Sequence, residues 1–291
     1  MKTMKNFLSM AALALVGAVM TGCSSDDNIQ QPANNDNAYI LKTTISFDTD
    51  DVTNRALAVD FGNKKATKTF AVGDQIAVFY IDGKGQTTRA LSNALTIDDI
   101  HNEGKTADIT VDFVGSGGAV AADNSQIRFV YPANMAKGSI TTSAEINDAN
   151  TINYSLLTNQ TGNLDDLGTA LDLATFDGSL SGSSLPTSVT LTNRLAILAL
   201  TLKSSDGSST ITGGLDNVVI YGSSNYNVTP NGGTFGEDVI YVAIRPATTN
   251  FTIDSSYGWS GYYQKALGNR TYVAGHFYNL PVRMVYYSSS L

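Results

Sequence analysis

The residues that could carry out catalysis are few in this sequence of 291 residues, which has two histidines and one cysteine. His101 follows Asp98-Asp99, and a histidine near a carboxylate can act as a general base. No Ser or Cys nucleophile motif and no HExxH sequence accompanies His101 or His276. We therefore expect His101 in a loop and His276 at a strand end, and we predict that the protein is not an enzyme.

The sequence also offers little evidence for sites that bind metals, phosphates or nucleic acids. Asp48, Asp50 and Asp51 lack the remaining ligands of a calcium loop, and turn chemistry explains them better. The glycine-rich stretches 115–118 and 213–214 lack the lysine of a phosphate-binding loop. The formal net charge of -8 repels phosphate backbones. We predict no metal, no cofactor and no nucleic-acid partner.

A cluster of aromatic residues interleaved with glycine suggests a binding surface. Aromatic rings on a glycine-rich loop can stack on sugar rings or anchor a partner protein. The competing interpretation is ordinary packing in the core or at a strand edge. The candidate ligand-binding residues are Tyr257, Trp259, Tyr262 and Tyr263.

The N-terminus predicts export and lipidation. Lys2 and Lys5 precede an apolar run of 14 residues (20 − 7 + 1), which suits a signal-peptide core and is short for a membrane-spanning helix. Small residues then precede Cys23, the one cysteine of the chain, as lipoprotein signal peptidase requires. We predict a lipoprotein signal peptide over 1–22 and acyl chains such as palmitate on Cys23. The alternative is an ordinary secretory signal with an incidental cysteine.

The chain after Cys23 begins with polar residues. The segment 23–38 is low in hydrophobicity, which predicts a flexible tether. Its acidic run over 24–28 resembles the surface-export signal of lipoproteins from gut and oral Gram-negative anaerobes. These features predict a surface-exposed lipoprotein of the cell outer membrane.

The rest of the sequence favours short strands. Charged residues make up only 15%, and there are 26 glycines and 14 tyrosines, a composition that favours β-structure over helix. Positions 41, 43, 45 and 47 alternate with polar residues, as in a half-buried strand. We predict an all-β protein with two tandem β-sandwich domains of transthyretin-like or Greek-key type. A Gly- and Ser-rich stretch separates them into residues 39–180 and 185–291.

The last predicted strand has a regular apolar face. Pro281 lies within it and favours an edge position, because proline cannot donate a ladder hydrogen bond. The residues that share the face are Tyr278, Leu280, Val282, Met284 and Tyr286.

The order of segments resembles the fimbrillin-like family, the subunits of lipoprotein-derived (type V) pili of those anaerobes. The similarity extends over nearly the whole chain, and its strength lies in the order of the matches. The family often has His where this chain has Arg194. The matching segments are Gly22-Cys23, Thr43–Phe47, Asn54-Arg55-Ala56, Phe70–Val78, Val130-Tyr131-Pro132, Gln160–Leu167, Val189–Leu202 with Asn193-Arg194, and Ala274–Leu280.

The resemblance implies assembly by strand exchange. A surface protease would cut between Arg55 and Ala56, the first strand would leave, and a strand of another subunit would fill its groove. Removing Leu41, Ile45 and Phe47 would expose apolar surface worth about 5–9 kcal/mol. Arg55 also has a simpler interpretation as a solvated loop residue.

Two functions are therefore proposed as hypotheses. The first is a fimbrial subunit that binds other subunits by strand exchange. Few residues follow Tyr286 that could form a strand for donation, so a tip or terminal position is favoured over a position in the stalk. The second is a lipoprotein adhesin that binds a host glycan or protein and never polymerises. An edge position for 41–47, with an exposed loop at Arg55 after it, would favour the first function. A central strand bonded on both sides, with residue 55 inaccessible, would argue against it.

Overall fold

The protein is described here by a computed structural model, which covers residues 40–48, 58–60, 65–114, 120–138, 145–257 and 261–288. All of them belong to one compact unit, Asp36–Leu291. The predicted signal peptide, the tether and the Arg55–Ala56 bond lie outside the described residues. The all-β prediction is confirmed, because the described residues form 19 strands and only two short α-helices.

The first part of the chain contains eleven strands. They are β1 (Ile40–Phe47), β2 (Ala58–Asp60), β3 (Lys65–Thr67), β4 (Ala77–Ile81), β5 (Thr87–Leu91), β6 (Ile100–His101), β7 (Thr106–Asp112), β8 (Gln126–Tyr131), β9 (Asn159–Gln160), β10 (Ala174–Ser179) and β11 (Ser188–Asn193).

The second part contains eight strands. They are β12 (Ala196–Lys203), β13 (Asn217–Tyr221), β14 (Tyr226–Val228), β15 (Ile240–Ile244), β16 (Ala247–Tyr257), β17 (Gly261–Tyr272), β18 (Phe277–Arg283) and β19 (Val285–Ser288).

The helical elements are short and lie between strands. The α-helices are α1 (Asp148–Thr151) and α2 (Leu164–Ala170). Asn163 caps α2, because its side-chain oxygen accepts hydrogen bonds from the backbone N–H groups of Asp165 and Asp166. The 3-10 turns span Ile97–Asp99, Asn102–Gly104, Ala133–Met135, Tyr154–Thr158 and Thr212–Gly214.

An eight-stranded sheet forms most of the first part, in the order β5-β4-β8-β10-β11-β1-β7-β6, and β2 and β3 form a separate two-stranded sheet. The eight-stranded sheet curls back on itself, since Ser92 after β5 forms a bridge with Val111 in β7. The curled sheet encloses a cluster that includes Ile45, Val78 and Ile109, which we call the first core.

Two further sheets enclose a second cluster. The three-stranded sheet has the order β15-β12-β18, and the six-stranded sheet has the order β19-β17-β16-β13-β14-β9. Leu198 and Val242 of the former pack in one cluster with Val218 and Ile253 of the latter, and we call this cluster the second core. The second part therefore consists of two layers of sheet around an apolar interior.

The predicted boundary at 181–184 does not separate these sheets. Strand β11 lies beyond that boundary, yet it pairs with β10 and β1 of the first sheet. The chain passes from the eight-stranded sheet to the three-stranded sheet between β11 and β12, at Arg194 and Leu195. Conversely, β9 lies before the boundary in the chain, but it pairs with β14 of the six-stranded sheet. A glycine- and serine-rich stretch marks a turn, but it does not reveal which sheet the next strand joins.

Strands β4 and β8 form a wall between the two cores. Val78 of β4 and Phe129 of β8 face the first core. Phe79 and Val130, their neighbours in sequence, face the second core. Successive side chains of a strand point to opposite faces, so these two strands are buried on both sides.

The last predicted strand is two strands in different sheets. Strand β18 pairs with β12 at the edge of the three-stranded sheet, which confirms the edge position inferred from Pro281. Strand β19 pairs with β17 of the six-stranded sheet. Leu280, Val282 and Met284 are buried, whereas Tyr286 is exposed. The predicted face therefore ends at Met284, where the chain changes sheets.

Candidate functional site

Strand β1 lies in the interior of the eight-stranded sheet, not at its edge. It pairs with β7 in antiparallel fashion over Ile40–Ser46 and with β11 in parallel fashion over Thr44–Phe47. A strand that left this position would leave a groove with two unpaired edges. This central position differs from the edge position that would have favoured strand exchange, while residue 55 lies outside the described residues.

One face of β1 fills the first core. Leu41, Thr43, Ile45 and Phe47 are each at most 7% exposed. The alternating sequence therefore identified Leu41, Ile45 and Phe47 correctly as the buried set. Thr43 shares their face, as the alternation of positions 41, 43, 45 and 47 predicts, and its hydroxyl donates to the backbone carbonyl of Pro186 at 2.6 Å.

Aromatic rings surround the C-terminal end of β1. The ring of Phe47 stacks on Phe70 with centroids 4.2 Å apart and meets Tyr131 edge-on at 5.2 Å. Lys68 Nζ lies 5.0 Å from the centroid of Phe47 and 4.6 Å from that of Tyr131. The end of β1 thus covers a cationic side chain inside an aromatic cage.

Lys68 forms a buried ion pair with Asp172. Lys68 Nζ lies 3.1 Å from Asp172 Oδ2, and it also donates to the backbone carbonyl of Asp172. Burial lowers the pKa of Lys68, although the carboxylates of Asp172 and Asp74 oppose the shift. Burial likewise raises the pKa of Asp172 against the opposing charge of Lys68. Sequence analysis missed this pair, since neither residue lies in a recognisable motif.

A second ionic cluster connects the first part of the chain to the link between β11 and β12. Asp148 accepts hydrogen bonds from Arg128 at 2.8 Å, from Arg194 at 2.7 Å and from the Tyr154 hydroxyl at 2.9 Å. Arg128 also pairs with Asp177 at 2.5 Å. Arg194 belongs to the polar pair Asn193-Arg194, which interrupts the apolar segment Val189–Leu202. It is therefore held in place where the chain passes from the first part to the second.

The predicted aromatic cluster is divided between two faces. Tyr262 and Tyr263 are neighbours in β17, so they point to opposite sides of the sheet. Tyr262 stacks on Tyr287 with centroids 5.2 Å apart and an interplanar angle of 15°. Tyr263 contacts Tyr286 on the other face at 5.1 Å.

The exposed aromatic pair is therefore Tyr262 with Tyr287, each 43% exposed. Sequence analysis missed Tyr287 as a member because β19 approaches β17 only in the folded chain. Tyr257 ends β16, and its side chain is not among those described. Trp259 lies outside the described residues.

The remaining candidates carry little chemistry. His101 Nε2 lies 3.0 Å from Asp108 Oδ2, and both side chains are exposed. His101 lies in the short strand β6, not in a loop, and His276 lies one residue before β18. Asp50, Asp51, Arg55, Ala56 and Cys23 lie outside the described residues. Within the described ranges, no group of three His, Cys, Asp or Glu side chains is arranged to hold a metal ion.

A membrane-spanning helix is not found in the described part of the chain, where every helix is too short or too polar. Comparisons by sequence give no relatives. No protein-family model matches this chain, and no curated protein matches it.

Comparisons by structure return cell adhesion and fimbrial proteins. A candidate cell adhesion protein from Bacteroides ovatus has 10% identity and a TM-score of 0.44, with 87% of this chain and 96% of that chain covered. A fimbrial assembly protein from Parabacteroides distasonis has 12% identity and a TM-score of 0.43, with coverage of 84% and 90%.

The tip fimbrial protein Mfa3 from Porphyromonas gingivalis, with a C-terminal truncation, has 10% identity and a TM-score of 0.32. The match covers 87% of this chain and 98% of that chain. These neighbours are of the kind that the resemblance to the fimbrillin-like family predicts. With TM-scores below 0.5, they carry no argument about the function of this chain.

Proposed function

We propose that this chain is a subunit of a cell-surface fimbria, which gives up β1 and receives a strand of another subunit in its place. The observation that carries the proposal is the position of β1. It is the first described strand, it pairs with β7 and β11, and it buries four alternate side chains in the first core.

The central position holds β1 more firmly than the edge position that we expected for exchange, but the groove that it would vacate offers more to an incoming strand. The vacated groove would present unpaired N–H and C=O groups on both flanks and an apolar floor between them. Unpaired strand edges readily accept another chain, and buried backbone groups left without partners are costly. An incoming strand would satisfy both edges at once, so it would be held firmly and in a defined register.

The C-terminal strands support a role as acceptor. Strand β18 contributes Leu280, Val282 and Met284 to the second core and pairs with β12 along its whole length. Donating β18 would open that core. Strand β19 is exposed along all four residues, but it is half as long as β1. These features favour a tip or terminal position, in which the subunit receives a strand.

The proposal includes export as a lipoprotein. Cys23 would carry the lipid and anchor the precursor in the outer membrane with its fold exposed at the cell surface. Proteolysis after Arg55 would then release β1 together with the anchor. The support is the N-terminal sequence, with its apolar run and single cysteine.

Cleavage is tested by N-terminal sequencing of material sheared from the cell surface. We expect Ala56 as the first residue in wild-type cells and lipidated Cys23 in an Arg55→Ala variant. Arg270→Ala, which removes an exposed arginine of β17, serves as the matched control and should be processed normally. Wild-type material that starts only at lipidated Cys23 would refute the cleavage.

Exchange is tested with the cleaved chain and labelled peptides. A peptide with the sequence of residues 40–48 should bind the cleaved chain and fail to bind the uncleaved chain. The same peptide with Ile45→Asp should not bind, because it would place a charge in the first core. In cells, immunogold electron microscopy should find labelled filaments that are lost in Arg55→Ala. Equal binding of both peptides would contradict exchange.

A glycan-binding adhesin is the alternative, and the stacked pair of Tyr262 and Tyr287 favours it. Exposed aromatic faces can stack on sugar rings. A glycan array probed with the full chain should then give signals that Tyr287→Ala abolishes. Tyr263→Ala, on the opposite face, should retain them. A blank array for the folded chain would remove this alternative.

A further inference from the structure

The buried pair of Lys68 and Asp172 has the arrangement of two reactants. Lys68 lies just after β3, Asp172 precedes β10, and the two residues are 104 positions apart in the chain. Their side chains are 3% and 8% exposed, with Nζ and Oδ2 at 3.1 Å. The rings of Phe47 and Tyr131 cover the amine. The site is therefore dry, and one amine faces one carboxyl group.

We propose that Lys68 Nζ and the side-chain carboxyl group of Asp172 condense into an intramolecular amide bond. The nitrogen attacks the carboxyl carbon of Asp172, so that a C–N bond forms and a C–O bond breaks. The departing oxygen leaves as water with protons supplied by the pair. The amide and the water molecule together contain the same atoms as an ammonium with a carboxylate, or as an amine with a carboxylic acid. The reaction therefore needs no other reagent.

Burial shifts both groups toward their reactive forms. It lowers the pKa of Lys68 and raises that of Asp172, in the direction of a neutral amine and a protonated carboxyl group, against the opposing charges of the pair. A neutral amine is the nucleophilic form of lysine, and desolvation is a known way of activating it. Because the fold holds the groups in contact, the reaction is effectively unimolecular. Exclusion of water also protects the amide once it has formed.

The hydrogen bonds around the pair hold the reactants in place. Lys68 Nζ donates to the backbone carbonyl of Asp172, so the amine is fixed against the residue that it attacks. The Tyr131 hydroxyl donates to Asp74 Oδ2 at 2.7 Å, and the same oxygen accepts from the backbone N–H of Ala71 at 2.8 Å. Asp74 is therefore a positioning residue, because it holds the Tyr131 ring that faces the amine of Lys68.

The bond would link two distant segments of the first part, whether or not the chain is cleaved after Arg55. It would tie the segment after β3 to the segment before β10 and close a loop of 105 residues (172 − 68 + 1). Both residues come after Arg55 in the chain. The link would therefore persist in the cleaved protein and hold the first part together when β1 is absent.

Tryptic digestion of the full folded chain tests the bond directly. An acylated Lys68 is not cut by trypsin, so residues 66–84 should remain joined to residues 138–194. The joined species should be lighter than the sum of the two peptides by the mass of one water molecule. Fragmentation by tandem mass spectrometry should place the branch at Lys68 and Asp172.

Three controls accompany the measurement. Lys68→Arg keeps the positive charge but offers no amine, so the joined species should be lost completely. Lys137, whose Nζ donates to the backbone carbonyl of Ala149, should stay unmodified, and trypsin should cut after it in every sample. Chain that is synthesised and kept in denaturant throughout, and so has never folded, should yield separate peptides, because the reaction depends on the fold.

The wild-type chain itself decides the outcome, whether or not the variants fold. Recovery of the joined species in wild type and its absence in Lys68→Arg would support the amide. Recovery of separate peptides with an unmodified Lys68, after prolonged incubation of the folded wild-type chain, would overturn it and leave a buried ion pair.

Discussion

At the scale of single residues, Asp148 accepts hydrogen bonds from two arginines and a tyrosine. Burial by itself raises the pKa of Asp148, but the hydrogen bond from Tyr154 and the charges of Arg194 and Arg128 outweigh it and lower the pKa below its usual value. Arg128 lies in β8 and Arg194 between β11 and β12. One carboxylate therefore fixes two arginines from separate elements.

Asp148→Asn should destabilise the protein most near neutral pH. A carboxyl group with a lowered folded-state pKa contributes stability above its unfolded pKa and loses it as the pH falls through the folded value. We expect a loss of about 1–3 kcal/mol at neutral pH. The loss should shrink below about pH 4, where the unfolded carboxyl group becomes protonated.

The measurement is urea unfolding of the variant and wild type at neutral and acidic pH. Asp98→Asn, at an exposed position in a 3-10 turn, is the control and should match wild type. A difference that stayed constant with pH would show that packing, not charge, is responsible.

Gly162 tests the cost of a side chain in a crowded left-handed turn. Its φ is +81°, and an added Cβ would lie 2.9 Å from Ile240 Cγ2 and 3.0 Å from Phe235 Cε1. Gly182 has φ +61° with no atom within 4 Å of its added Cβ. Gly182→Ala should cost about 1–2 kcal/mol, and Gly162→Ala should cost about 1–3 kcal/mol more through overpacking. Equal losses in thermal unfolding would contradict the crowding argument.

At the scale of elements, β1 is strongly bound in its sheet, yet it is joined to the later strands by one chain connection. Its ladders to β7 and β11 and its four buried side chains hold it in the sheet. It is nevertheless the first described strand, and one connection joins it to the later strands. These properties distinguish β1 from β18, which is anchored in the second core and continues into β19.

Ile45→Ala should weaken the hold on β1. Ile45 is fully buried, and replacing a buried isoleucine by alanine costs about 2–5 kcal/mol. Ser46→Ala, on the opposite face of the same strand, should change stability by less than about 0.5 kcal/mol. Chemical unfolding measures both losses. Similar losses would mean that the face of Ile45 does not hold the strand.

At the scale of the whole molecule, the wall of β4 and β8 couples the two cores. Phe79 and Val130 belong to the second core although their strands belong to the first sheet. The ionic cluster at Asp148 also holds Arg194, which lies in the link between the two parts. The two parts therefore share interior surface, unlike domains connected only by a linker.

This coupling predicts a single cooperative unfolding transition. Calorimetric and van't Hoff enthalpies of the full chain should agree. Phe79→Ala should shift the whole transition, with a loss of about 3–5 kcal/mol. Leu91→Ala, at an exposed position in β5, should leave it nearly unchanged. Two separate calorimetric peaks in wild type would show that the parts unfold independently.

The sequence by itself determined the features that depend on neighbouring residues. Alternation over Leu41–Phe47 defined both the strand and its buried face, because side chains of a strand alternate between its faces. Pro281 defined an edge position, because it lacks the N–H that an interior strand must donate. The all-β class was evident from composition.

Tertiary structure decided which distant residues meet. The partners of β1, the pairing of Tyr262 with Tyr287 and the contact of Lys68 with Asp172 all join segments remote in sequence. A local pattern states which face of a strand is apolar, but it does not state which strand lies beside it. The sheet assignment of β11 and the buried ion pair were therefore hidden, since both depend on how the curled sheet closes around its core.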